Sequence, residues 1–279
     1  MLPVLLDLKF VKIYTFGVFL VLAFFWGCFL LWKLIRLTVY KEEDVFDGLF
    51  LSLAGGLFFG RLVYVILNFK DFGFDFFKFI LINGYPGISL YGSLLGAFLV
   101  LLIYFSDKKI RFLDIIDYFI APLFLSLALG KLGSFFSGVE IGKKTRFFLS
   151  VHYAGFDEYR HLPALYEGIL FFLGAYIAHK LIFEVRKEKL THGFVTAFFV
   201  WFFALVNFIF FRLTEGYSDF NQMTSKILLL TFSIYFLYYF RSLLLNFFGM
   251  IINLVKKYGQ KAYQKVYRLS KGKTGKGLQ

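Results

Sequence analysis

Three cations and two acids interrupt stretches that are otherwise apolar: Arg61, Lys131, Glu140, Glu167 and Arg212. A charge left alone in hydrocarbon costs several kcal/mol, so each must face a cavity or a partner of opposite sign. Arg61 follows GGLFFG, whose glycines permit close helix approach; it fits a site inside a bundle, a structural ion pair or an outer-end anchor. Lys131 lies in LGKLGSFFSGVEIG, where Gly130, Gly133, Gly138 and Gly142 suit a helix that breaks up. Freed backbone N–H groups, Ser134, Ser137 and the Lys131 ammonium would then hold a phosphate oxygen. A glycine-rich helix end with a snorkelling lysine is the alternative. Glu140, nearby in the same segment, either neutralises Lys131 or serves as a base. His161 and Glu167 share HLPALYEG, a spacing that fits no metal site, and Glu167 also suits the positive end of a helix. Arg212, in FFR, is an interfacial anchor or a second cation for the same anion. Asp117 and Asp114 read as structural partners of Lys108, Lys109 and Arg111. Four His and one Cys leave little for a metal centre, so neither metal nor cofactor is expected.

The elements that carry these residues must sit in lipid. Hydrophobic residues make up 59%, charged residues only 18%, and there are 43 Phe. A soluble domain has about 45–50% apolar and about 25% charged residues. These figures exclude a disordered chain, a disulfide scaffold and a soluble nucleic-acid-binding domain. A bilayer core of about 30 Å needs about 20 apolar residues in a helix. Suitable runs lie at 13–32, 48–69, 79–106 (its first part loop), 118–139, 162–178, 193–211 and 227–255. The expected fold is therefore all-α: a polytopic membrane protein with seven transmembrane helices around an outward-facing polar cavity. Residues 1–250 would form that domain, and 251–279 a basic cytoplasmic tail held by anionic lipid. Residues 69–85, mixing Phe with charge, suit an interfacial segment. The start lacks a basic region and a cleavage pattern, so a removed signal peptide is not expected. Net charge is +13, and the larger share of Lys and Arg falls on the connections after the first, third and fifth helices and on the tail. The positive-inside rule puts that side in the cytoplasm, with the amino terminus outside. The connection between the fourth and fifth helices carries Lys143, Lys144, Arg146 and Arg160 against this bias, a pattern that fits anion binding or a solvated loop.

The order of motifs resembles the prolipoprotein diacylglyceryl transferase family of bacteria. Tyr14 opening the first helix is similar to that family's start, as is EEDVFDGLF leading to GGLFFGRLVYV. PGISLYGSLLG occupies the place of its serine, aromatic, histidine, paired-glycine motif. LDIIDYFIAPL followed by LGKLGSFFSGVEIG resembles its signature, and HLPALYEG its histidine-proline-x-x-leucine-tyrosine-glutamate motif. FFR and NQMTSKILLL resemble its last two helices. The family histidine of the third helix falls at Tyr91, the signature arginine at Lys131, and the two asparagines at Ser134 and Ser137. The family glutamate falls at Val139, with Glu140 one place late, and an arginine of the sixth helix falls at Leu205. The resemblance implies transfer of the diacylglyceryl group of phosphatidylglycerol to the lipobox cysteine of a prolipoprotein, forming a thioether and releasing glycerol 1-phosphate. Implied partners are phosphatidylglycerol, lipobox-containing prolipoproteins and membrane lipids, with no nucleic acid, in a bacterial plasma membrane. Lys131, Arg61, Ser134, Ser137, Gly138, Arg212 and Tyr14 would bind substrate. Tyr91, Glu140 and His161 would serve catalysis, with the choice of base between the last two open. A non-catalytic relative that binds phospholipid or lipoprotein is the alternative.

Overall fold

Among the described residues, six helices are long and apolar enough to cross a bilayer. They are α1 (Thr15–Ile35), α2 (Glu42–Leu67), α5 (Leu90–Asp107), α6 (Phe112–Ser137), α7 (Pro163–Arg186) and α8 (Phe194–Phe210), which a 3₁₀ turn extends to Leu213. The computed structural model describes residues 3–8, 12–81, 84–153, 156–216, 218–241 and 245. Two short helices, α3 (Phe69–Phe72) and α4 (Phe76–Ile80), fill the connection expected to be interfacial. A last helix, α9 (Asp219–Tyr239), overlaps the expected seventh span at 227–255. It is not among the six: Asp219, Asn221, Gln222 and Lys226 dilute its first turns. The rest of that span, the boundary at 250 and the tail 251–279 lie outside the described residues, apart from 240, 241 and 245. The chain divides into two units, Met1–Leu229 and Leu230–Gln279. Two small antiparallel pairs complete the described residues: β1 (Val4–Asp7) with β2 (Lys12–Tyr14), and β3 (Val151–His152) with β4 (Tyr159–Arg160).

The bundle is organised by small residues. In lipid, apolar side chains gain nothing by leaving their solvent, so helices associate where backbones come close. On α2, Gly56 and Gly60 face Ser93 of α5; on α5, Gly92 and Gly96 face Val63 and Phe59 of α2. A side chain at Gly60 or Gly96 would collide with its neighbour. Helix α6 packs on α1 and α7 and touches α8 and α5, which makes it the most enclosed span. Ser126 of α6 donates to the Ala23 carbonyl of α1 at 2.8 Å. Phe124, fully buried, meets Phe171 of α7 and Phe199 and Phe202 of α8.

Contrary to the expected break, α6 runs continuously through Gly130 and Gly133 to Ser137. Gly133 is used for packing, since an added side chain would strike Phe19 of α1. At one end of the bundle, Lys108 pairs with Asp44 at 2.7 Å, and Arg186 donates to the Leu37 carbonyl at 2.8 Å. Asp117, 1% exposed, has a different partner from the one its sequence neighbours suggested. It accepts from the Gly193 and Thr196 N–H groups and the Thr196 hydroxyl, at 2.7–2.9 Å. It thus caps the start of α8, where backbone donors have no helical partner.

Candidate active site

The other end of the bundle gathers charge. Helix α6 stops where Gly138 takes the left-handed conformation, φ 72°. Val139 N–H then reaches back to the Ser134 carbonyl at 3.2 Å, and Gly138 N–H to Phe135 at 3.3 Å. This closure is favoured by glycine, which has no Cβ to clash in that region. It reverses the chain, so Glu140 hangs back over the last turns of α6. Both Glu140 oxygens lie 2.8 Å from the Lys131 ammonium. The second acid comes from α7. Proline at the first position and an apolar face start that helix, and its Glu167 is 2% exposed. Glu167 Oε2 stands 2.6 Å from Lys131 Nζ. Gly168, beside it, lets α7 close on α6 near the Lys131 stem.

The cluster holds one cation and two carboxylates, a surplus of one negative charge. The lysine and Glu167 side chains are 17% and 3% exposed, and Glu140 is the most open at 28%. Buried charge persists only when paired, which both acids achieve through the same ammonium. The backbone here is the carboxyl end of a helix. The N–H groups of Gly138 and Val139 point into the closure rather than outward. Ser137 donates to the Gly133 carbonyl at 2.7 Å, and Ser134 is buried. The expected cradle of freed N–H groups around an anion therefore does not form in the segment 131–139.

Glu140 leads into a three-layer strap. Residues 141–145 run between 213–215 on one side and 159–161 on the other. Lys143 N–H meets the Leu213 carbonyl at 2.8 Å, and Glu215 N–H meets Ile141 at 3.0 Å. His161 N–H meets Lys143, and Thr145 N–H meets Tyr159, at 3.0 and 2.9 Å. Gly142 sits so close under His161 that any side chain would collide with its carbonyl. Arg160, 9% exposed, crosses the layers, with Nη1 2.6 Å from Glu215 and 3.0 Å from the Gly142 carbonyl. The His161 ring is partly enclosed beside Phe147, and burial holds its imidazole below the ordinary range.

The remaining sequence candidates have separate partners. Arg61, 2% exposed, donates to the carbonyls of Lys78, Phe79 and Gly87 at 2.7–2.9 Å, and stacks over Phe72. All three hydrogen bonds secure Lys78, Phe79 and Gly87, and none involves the Lys131 cluster. Arg212 is exposed over the Phe211 ring, in the turn whose next residues join the strap. The Tyr91 hydroxyl is 2.5 Å from Ser225, and its ring packs on Phe203. Tyr14 is 58% exposed at the start of α1. Glu167 was undervalued in the sequence as a helix-start acid; its signal was a carboxylate inside an apolar run. Arg160 stood out in the sequence only as one of several loop cations, since its partner lies 55 residues on.

The sequence matches the family profile described as prolipoprotein diacylglyceryl transferase over residues 3–239. Curated relatives bear the name phosphatidylglycerol–prolipoprotein diacylglyceryl transferase. One from Clostridium tetani is 27% identical over 194 residues, covering 68% of this chain and 76% of the relative. One from Chlorobaculum tepidum is 26% identical over 235 residues, covering 75% and 78%. One from Francisella tularensis subsp. holarctica is 28% identical over 236 residues, covering 80% and 85%. The profile takes in all six long apolar helices and the loop that brings Glu140 to Lys131, and the chain belongs to the prolipoprotein diacylglyceryl transferase family.

Proposed function

We propose that this chain moves the diacylglyceryl group of phosphatidylglycerol onto the cysteine thiol of a prolipoprotein. The observation that carries the reading is the Lys131 cluster, where one ammonium shared by two acids leaves a surplus carboxylate at the end of a membrane bundle. The names of the relatives point the same way. A thiol becomes a strong nucleophile only on losing its proton. Glu140, the more open acid, takes that proton while Glu167 keeps Lys131 paired. The sulfur electron pair attacks the glyceryl carbon attached to the phosphodiester. A C–S bond forms, the C–O bond breaks, and its electron pair leaves with glycerol 1-phosphate. Once protonated, Glu140 holds Lys131 less, and the ammonium turns to the phosphate oxygen where charge grows. A donor placed there contributes on the order of 3 kcal/mol. The proton then passes from Glu140 to water. Ser134, Ser137 and the turn at Gly138 shape the adjoining wall. Exposed Arg212 draws the headgroup in, Tyr14 lines its approach at the interface, and Tyr91, whose hydroxyl is given to Ser225, reaches the headgroup only by exchanging that partner. His161 stands beside the entrance, its imidazole held below the ordinary range by burial, and Arg61 acts by fixing Lys78, Phe79 and Gly87.

The orientation follows from charge. The basic connections at the Lys108–Asp44 end face the cytoplasm, so the cluster opens on the outer face with the amino terminus outside; the carboxyl terminus lies inside if α9 makes a seventh crossing. A translocated precursor would present its cysteine on that face. A purified full-length protein in phosphatidylglycerol vesicles, given a lipobox peptide, should add one diacylglyceryl group by mass and release glycerol 1-phosphate. A yield no higher than that of a Glu140→Gln control would overturn transfer through Glu140. The competing reading is a relative that binds lipid or lipoprotein without turnover. Tyr91 and Leu205, where the family resemblance expects histidine and arginine, favour it, and peptide binding without any transfer would establish it.

A further inference from the structure

We propose that Arg160 is a positioning residue for Glu140, an inference that rests on the transfer reading above. Glu140 lies outside any helix, so its place over Lys131 depends on what fixes the residues after it. The next residue, Ile141, gives its carbonyl to Glu215 N–H at 3.0 Å. The one after, Gly142, gives its carbonyl to Arg160 at 3.0 Å. The same Arg160 nitrogen lies 2.6 Å from the Glu215 carboxylate, and the guanidinium rests 4.1 Å from the Phe156 ring centre. Arg160 is nearly buried, whereas the neighbouring Lys144–Glu158 pair is exposed.

One guanidinium thus joins all three layers of the strap within two residues of the surplus acid. Its segment also leads directly into α7, which carries Glu167. Arg160 therefore ties the open acid to the buried one through the backbone, in addition to the ammonium they share. Without it, the Gly142 carbonyl and the Glu215 carboxylate lose their common partner, and Glu140 is held by Lys131 and by backbone pairing alone. A displacement of about 1 Å in a reacting group can cost on the order of 100-fold in rate.

The test compares Arg160→Gln, Glu215→Gln, Glu140→Gln and the Arg160→Gln/Glu140→Gln pair, by transfer to a lipobox peptide. Rates are taken per folded protein, with kcat and KM for both substrates. The expected result is a fall in kcat of about 10- to 100-fold for Arg160→Gln with KM within about 2-fold. Glu215→Gln, a change at a half-exposed position that supplies the fold-safe variant, should lower kcat in the same direction. Arg160→Lys should recover part of the rate. Because Arg160 acts through Glu140, the double variant should be no slower than Glu140→Gln alone. A merely structural Arg160 would multiply its own loss onto that residual rate, and that outcome overturns the proposal. So does a wild-type kcat for both Arg160→Gln and Glu215→Gln while Glu140→Gln is inactive, a result that leaves the transfer reading standing. Full activity of Glu140→Gln would instead remove Glu140 as the acid that takes the thiol proton, and the positioning role with it.

Discussion

Replacing Lys131 by methionine keeps most of the length of the side chain and deletes its charge. Two carboxylates, at 2.6 and 2.8 Å from the missing ammonium, would then face each other, one of them on a side chain only 3% exposed. Removing one partner from a buried pair costs about 3–5 kcal/mol, because the other charge is left uncompensated. The expected loss in Lys131→Met therefore lies in that range, enough to lower the folded-to-unfolded ratio more than about 100-fold. Adding Glu167→Gln removes the buried orphan charge and should restore most of the lost stability, since replacing a whole buried pair is often neutral. Transfer should stay absent in both variants. Lys131→Arg should retain activity, because the fork of arginine still spans two carboxylates and suits phosphate. Unfolding in detergent, followed by helical signal, measures the first effect, and peptide lipidation the second. Lys131→Met within about 0.5 kcal/mol of the wild type would refute the cluster. So would a double variant no more stable than the single one.

Arg61→Met should cost about 3 kcal/mol through three lost charged hydrogen bonds, with faster amide exchange across 78–87 as the local signature. Asp117→Ala should destabilise by about 1–2 kcal/mol and fray the first turn of α8, as loss of a helix cap does. Burial lowers the His161 pKa below 6.5, so the unfolded chain binds more protons as pH falls through that value. Stability should accordingly drop below about pH 6.5, and His161→Gln should flatten that part of the pH curve. For topology, a cysteine at Lys143 in intact cells should react with an impermeant thiol reagent and one at Lys108 should not; the reverse pattern overturns the orientation.

Composition carried the fold class a long way. Charge-free runs marked the helices because lipid tolerates little else; the bounds of the first lay within three residues, the second and fourth start six residues earlier than expected, at Glu42 and Phe112, and the third starts at Leu90, after the loop expected at the head of 79–106. The extension to Glu42 was hidden because EED reads as a loop, although acids are welcome at a helix start. The seventh span falls partly outside the described residues; within them its helix, α9, starts at Asp219, eight residues before the expected 227 and among polar residues. Lys131 and Glu140 were legible as partners, since nine residues across a glycine turn bring them together. Their third member was not weighed as part of that set, because Glu167 reaches Lys131 only through the packing of α7 on α6. Arg61 misled for a related reason. A buried cation reads as a ligand site in sequence, but backbone carbonyls satisfy one equally well, and they carry no sequence signal. The glycines around Lys131 suggested exposed donors, whereas their backbone is helical and closes on itself.

The strap assembles from three stretches of chain that are made at different times. Residues 139–145 and 159–161 leave the ribosome early, but the layer at 213–215 follows only after α7 and α8. Domains form as their parts emerge, and contacts between distant segments wait for the later one. A nascent chain therefore inserts Lys131, Glu140 and Glu167 before anything supplies Glu215. Glu140, the acid proposed to take the thiol proton, becomes fixed only when the bundle around it is nearly complete. A half-made chain in the membrane holds the reactive groups without their final alignment.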